Sequence, residues 1–109
     1  MKVLFRITLV ITAALFGSRQ VVLESNHDTD MLKNGPYPQS LKSRIMSRTG
    51  HLSNDDCARF LPYLADKGTE KIFLAHLSKE NNLPALALEV AKKALEKYPD
   101  VKIEVCREK

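Results

Sequence analysis

The three histidines of the chain all sit in short segments that join one element to the next. His27 lies in Glu24-Ser25-Asn26-His27-Asp28, and the tripeptide His-Leu-Ser occurs twice, as His51-Leu52-Ser53 after Gly50 and as His76-Leu77-Ser78 after Ala75. Neutral imidazole and carboxylate are donors that zinc and manganese accept. Imidazole also titrates near neutrality, so the same side chains suit proton transfer. The spacing alone does not decide between these uses. The chain holds no H-x-H pair, no H-E-x-x-H helix and no G-x-S-x-G elbow, any of which would place a metal or a serine nucleophile directly. A lone histidine ahead of a helix is more often a surface or hydrogen-bonding group, and Asn26 and Asp28 fit equally well a turn that bonds its own backbone. Asp30, Asp55 and Asp56 read as caps and solvated charges.

The elements that must position these strings alternate between strand and helix. Val21 to Leu23 is an apolar, β-branched run that fits a buried strand and delivers Glu24 to Asp28 to its end. Asn34, Gly35, Pro36 and Pro38 mark a loop, and Ser40 to Met46 fits a short helix with Leu41 and Ile45 on one face. A longer helix runs from Asp55 to about Ala65, capped by Ser53 or Asn54, with Phe60, Leu61 and Leu64 on its apolar side. Pro62 should kink or break it. Ile72 to Ala75 is a second buried strand, and His76 follows it directly. The clearest helix carries Leu83, Leu86, Ala87, Val90, Ala91, Ala94 and Leu95 behind Asn82 as a cap and Pro84 in the first turn, ending near Tyr98 and Pro99. Val101, Ile103 and Val105 then alternate with polar residues as a half-buried or edge strand. The order is βααβαβ, an α/β fold. Ligands of such folds bind beyond the carboxyl ends of the strands, so His76 and the Asn26-His27-Asp28 string converge on one edge.

With 109 residues, 44% hydrophobic and 28% charged, the chain has the balance of one globular unit. Its formal net charge is +4, with the densest basic cluster at Lys33, Lys42, Arg44 and Arg48. That cluster permits a polyanion without requiring one. Cys57 and Cys106 form no CxxC pair and read as reduced thiols of a cytoplasmic protein. Residues 1–20 form a divergent segment before a domain spanning 21–109. Lys2 and Arg6 ahead of the apolar stretch from Ile7 to Phe16, with Gly17 and Ser18 after it, outline a signal peptide; a short helix over Ala13 to Gly17 is the alternative. The run falls short of the roughly 20 apolar residues that a membrane span needs.

Taken in order, Val22-Leu23-Glu24-Ser25-Asn26-His27-Asp28, Met31 to Pro38, Leu41-Lys42-Ser43-Arg44-Ile45, Gly50-His51-Leu52-Ser53-Asn54 and Phe73 to Asn82 resemble the C-terminal region of YycJ/WalJ-type metallo-β-lactamase-fold proteins. The resemblance extends from about Ala13 to Lys97. It implies a cytoplasmic phosphodiesterase of nuclease type, an exonuclease with DNA as the expected substrate and RNA as the alternative, with zinc or manganese held at the junction of an αββα sandwich. It implies further that His76 is the last metal-ligand histidine. His51 would contact the scissile phosphate or protonate its leaving oxygen. Glu24, Asn26, His27, Asp28, Ser53 and Ser78 would line the same cleft as substrate-binding residues. Two departures qualify these expectations. The family's H-x-H-x-D-H motif is absent from this sequence, and residues 1–12 do not resemble the family. The chain is therefore read as the C-terminal half of the sandwich, with part of the site. Its expected partners are nucleic acid and either a missing N-terminal half or a second copy. The other reading is a noncatalytic module that binds nucleic acid or a protein.

Overall fold

The computed structural model describes residues 19–47 and 50–106. The signal-like or helical stretch before Arg19, and Arg48 of the basic cluster, lie outside the described residues.

Three strands, β1 (Gln20–Glu24), β2 (Lys71–Ala75) and β3 (Lys102–Val105), pair in parallel in the order β1-β2-β3. The register sets Val21 beside Ile72 and Ile103, and Leu23 beside Leu74 and Val105. Because side chains alternate along a strand, these two rows share one face. Leu23, Ile72 and Leu74 are fully buried there. The helices α3 (Asn54–Asp66) and α4 (Pro84–Ala94) pack on one another, and Leu61, Leu64, Ala87 and Ala91 complete the core. The opposite face carries the row Val22, Phe73 and Glu104, of which Val22 is exposed.

The α/β class agrees with the sequence pattern, but the order is βαααβαβ. The additional helix is α1 (Thr29–Asn34), ahead of α2 (Gln39–Ile45). Asp28 starts it by accepting a hydrogen bond from the amide of Met31, and only Leu32 is buried. Six residues with one buried position give no helical periodicity to read, and Gly35, Pro36 and Pro38 draw the eye to a loop instead. Asn34 belongs to the helix rather than to that loop.

In α3 the cap is Ser53, whose side chain accepts from the Asp56 amide. The helix continues through Pro62 to Asp66, so the proline does not break it. Cys57, Leu61 and Leu64 are buried on either side of it. That packing outweighs a proline penalty of about 3 kcal/mol. Pro84 opens α4 as its first residue, but the capping position is Leu83 and not Asn82, and the helix ends at Ala94, short of Tyr98. Asn82 is turned toward the end of β1 instead.

Candidate functional site

The carboxyl ends of β1 and β2 are level, with Glu24 opposite Ala75. Beyond them the polar string 25–28 runs between two neighbouring segments. On one side the amide of Asn26 donates to Leu52 O and that of Asn54 to His27 O, each at 2.8 Å. On the other, Ser25 N donates to Ala75 O, Ser78 N to Asn26 O and Asp28 N to Asn81 O. Both His-Leu-Ser tripeptides are thereby strapped to the same four-residue string, one on each flank. The sequence pattern placed these groups on one edge; the backbone bonds explain how they are held there.

Glu24 is the centre of the arrangement. Its side chain is only 9% exposed, its Oε1 accepts from the Leu52 amide at 2.8 Å, and its Oε2 accepts from His51 Nδ1 at 2.6 Å. The same Oε2 lies 3.8 Å from Nδ1 of His76. One buried carboxylate therefore faces two imidazoles that are 51% and 76% exposed. A carboxylate on Nδ1 fixes the tautomer and the ring plane of an imidazole.

His76 adopts a left-handed backbone conformation, with φ of 56°, the one non-glycine residue among the described residues to do so. The conformation is held by Asn26, whose side-chain amide donates to His76 O at 2.7 Å. Strain of this kind is retained where surrounding bonds over-determine it, and it clusters at functional edges.

Beneath the edge lies a buried polar network. Asn54 and Asn82 exchange two amide hydrogen bonds, each of 2.9 Å. Ser25 Oγ donates to Asn54 Oδ1, and Asn82 Nδ2 also reaches Ser25 O and Asn26 O. The network bolts the start of α3 and the approach to α4 onto the end of β1. No local spacing signals it, because the pair is 28 residues apart in sequence.

The remaining sequence candidates are placed as follows. His27 is buried at 2% exposure, with Nδ1 3.2 Å from Asn26 Oδ1. Asp28 and Ser53 cap α1 and α3, and Ser78 Oγ accepts from the Asn81 amide. His27, His51 and Ser53 line an open cleft of about 320 Å³ together with Thr29, Met46, Asp55, Asp56 and Arg59. Arg59 pairs with Asp56 at 3.2 Å on its wall.

Sequence comparison adds two kinds of relative. Exodeoxyribonuclease YycJ of Bacillus anthracis is 46% identical over 71 residues, which is 65% of this chain and 27% of the relative. Exodeoxyribonuclease WalJ of Streptococcus pneumoniae serotype 2 (strain D39 / NCTC 7466) is 48% identical over 66 residues, 61% of this chain and 24% of the relative. The chain is similar to part of the YycJ/WalJ exodeoxyribonucleases. It spans about a quarter of the length of these curated relatives. No family model matches the chain, and no solved structure matches it either.

The relatives' superfamily implies a divalent metal, and the donor set can be tested for it. Among the described residues no group of three or more His, Cys, Asp or Glu side chains is arranged to hold a metal ion. Glu24 is committed to His51 and to the Leu52 amide, so His51 and His76 stand beside it as exposed imidazoles and make no three-donor set with it. These residues do not by themselves fit zinc or manganese. No helix among the described residues is long and apolar enough to cross a membrane.

Proposed function

We propose that the chain contributes part of a nuclease-type phosphodiesterase site, with DNA as the substrate. The observation that carries this reading is the shared Glu24 carboxylate between His51 and His76, in a chain similar over 71 residues to an exodeoxyribonuclease. Glu24 acts as a positioning residue, because a buried carboxylate would repel a phosphate but orients an imidazole well. His51, with Nδ1 engaged, presents Nε2 to the scissile phosphate or to the oxygen that leaves it. His76 offers one donor to a zinc or manganese ion whose other ligands would come from outside the described residues. The three-stranded sheet is then one layer of the αββα sandwich, in the C-terminal half.

A second reading is a noncatalytic module that binds nucleic acid or a protein partner and cleaves nothing.

The test is cleavage of labelled single-stranded and 5′-phosphorylated duplex DNA with Mn²⁺ or Zn²⁺, comparing the wild type with His51→Ala and His76→Ala. The catalytic reading expects metal-dependent cleavage that both substitutions reduce by about 100-fold or more, the size of effect of a positioned acid–base group. A chain that neither retains metal after dialysis nor cleaves either DNA fits the binding module.

A further inference from the structure

Between Asp30 and Asp55 the chain carries no carboxylate, while Lys33, Lys42, Arg44 and Arg48 all fall within that stretch. Outside it the thirteen remaining Lys and Arg residues are matched by all thirteen Asp and Glu residues, so this one segment accounts for the net charge of +4. Such segregation sets up a local positive field that a balanced surface lacks.

The fold places α1 and α2 beside His51. Lys42 Nζ donates to Lys33 O at 2.7 Å, which ties α2 to the last turn of α1. The His51 amide donates to Ile45 O at 3.0 Å, which pins the end of α2 to the candidate site. A Cβ on Gly50 would run into the backbone carbonyls of Arg44 and Ile45, so this close approach depends on glycine. Lys33 and Arg44 are exposed, and Lys42 retains two further ammonium donors beyond the one it spends on Lys33. Tyr37, half-buried, sits in the loop that joins the two helices. The cleft opens between Thr29, at the start of α1, and Met46, at the end of α2, with His51 on its rim.

We propose that the α1–α2 segment is a docking surface for one nucleic-acid strand, and that Lys33, Lys42 and Arg44 hold its phosphates while Tyr37 stacks on a base. The surface feeds that strand toward His51, and in this respect the proposal rests on the nuclease reading above. A single strand fits better than a duplex for two reasons. Helices of six and seven residues are only about 10 Å long, enough for a few backbone phosphates but too short to serve as a groove-reading helix. An aromatic side chain in the loop between two cation-bearing helices engages bases that are already unstacked.

The test is fluorescence anisotropy of the full chain with a 5′-labelled 12-nucleotide single strand and the matching duplex. It is run in EDTA over a range of salt, so that binding is read without cleavage. The single strand should bind more tightly than the duplex. Lys33→Gln combined with Arg44→Gln should weaken it at least tenfold and reduce the slope of log K against log salt by about 0.7 for each cation removed. Tyr37→Ala should weaken binding by a similar factor with the slope unchanged. The control is Lys92→Gln with Lys93→Gln, which removes equal charge from the exposed end of α4 and should leave affinity within twofold. Equal losses in the control and the α1–α2 variant, or tighter binding to the duplex, overturn the proposal. A chain that binds as described but cleaves no DNA under Mn²⁺ refutes the catalytic reading alone.

Discussion

Glu24 Oε2 and His51 Nδ1 lie 2.6 Å apart, and Glu24 Oε1 accepts the buried Leu52 amide at 2.8 Å. One carboxylate thus secures both the imidazole and the backbone that carries it. Glu24→Gln keeps an oxygen for the Leu52 amide but turns an amide donor toward Nδ1, which forces the proton of His51 to Nε2. Glu24→Ala removes both acceptors. Urea unfolding should show Glu24→Ala less stable than Glu24→Gln, and less stable than wild type by about 2–4 kcal/mol, since a buried amide is orphaned and a charge-assisted bond is lost. ¹⁵N spectra of the ring should show His51 protonated at Nδ1 in the wild type and at Nε2 in Glu24→Gln. An unchanged tautomer would show that Glu24 does not orient His51.

His76 tests whether the edge retains strain for a purpose. A left-handed residue other than glycine costs on the order of 1 kcal/mol, with histidine among the more tolerant types, while glycine recovers that cost and loses part of it to unfolded-state entropy. His76→Gly should therefore be as stable as wild type or up to about 1 kcal/mol more stable, whereas His76→Val should be less stable by about 1–2 kcal/mol. Function should not follow stability, with both variants impaired. If His76→Gly is markedly destabilised, the imidazole contributes to the fold beyond its backbone conformation.

The Asn54–Asn82 pair makes a separate stability prediction. Asn82→Ala leaves Ser25 O and Asn54 Oδ1 short of a donor in a buried setting, and Asn54→Ala leaves Ser25 Oγ without its acceptor and Asn82 Oδ1 short of a donor. Each should cost about 1–3 kcal/mol, and a double-mutant cycle should return a coupling of at least about 0.5 kcal/mol. Strict additivity would mean that the two amides act independently, contrary to their reciprocal bonding.

What the sequence shows and what it hides follow from the range of the interactions. The apolar rows Val21–Leu23 and Ile72–Leu74 and the stripe from Leu86 to Ala94 are read from neighbours a few residues apart, so the strands, the last helix and the edge with its histidines are all legible. α1 escapes because its start depends on one capping contact, from Asp28 to Met31. Glu24 is visible as a polar residue at a strand end, but nothing local says that its partners are 27 and 28 residues away at His51 and Leu52. Asn82 looks like a helix cap from its spacing and is instead a tertiary cross-link, because its amide finds the carbonyls of Ser25 and Asn26. Side chains that choose distant partners cannot be read from periodicity.

Cys57 gives the pH prediction. Its side chain is buried in the core, and burial pushes the thiol from 9.0 up to about 12. In the unfolded chain the thiol loses its proton as the pH rises past 9, while in the folded chain it keeps that proton until about 12. The unfolded state then binds fewer protons than the native state, so stability is fully present below 9 and falls as the pH rises from 9 toward 12. Other groups that ionise in that range do so in both the wild type and Cys57→Ala and cancel in the difference. Urea midpoints at pH 8 and pH 10.5 should therefore fall further in the wild type than in Cys57→Ala, although the variant starts lower for want of the buried sulfur. The same burial predicts that a disulfide reagent at pH 8 labels the half-buried Cys106 quickly and reaches Cys57 only when urea is added. Parallel pH dependence in the two proteins, or rapid labelling of both thiols in buffer, would mean that the core around Cys57, Leu61 and Leu74 opens far more readily than its packing implies.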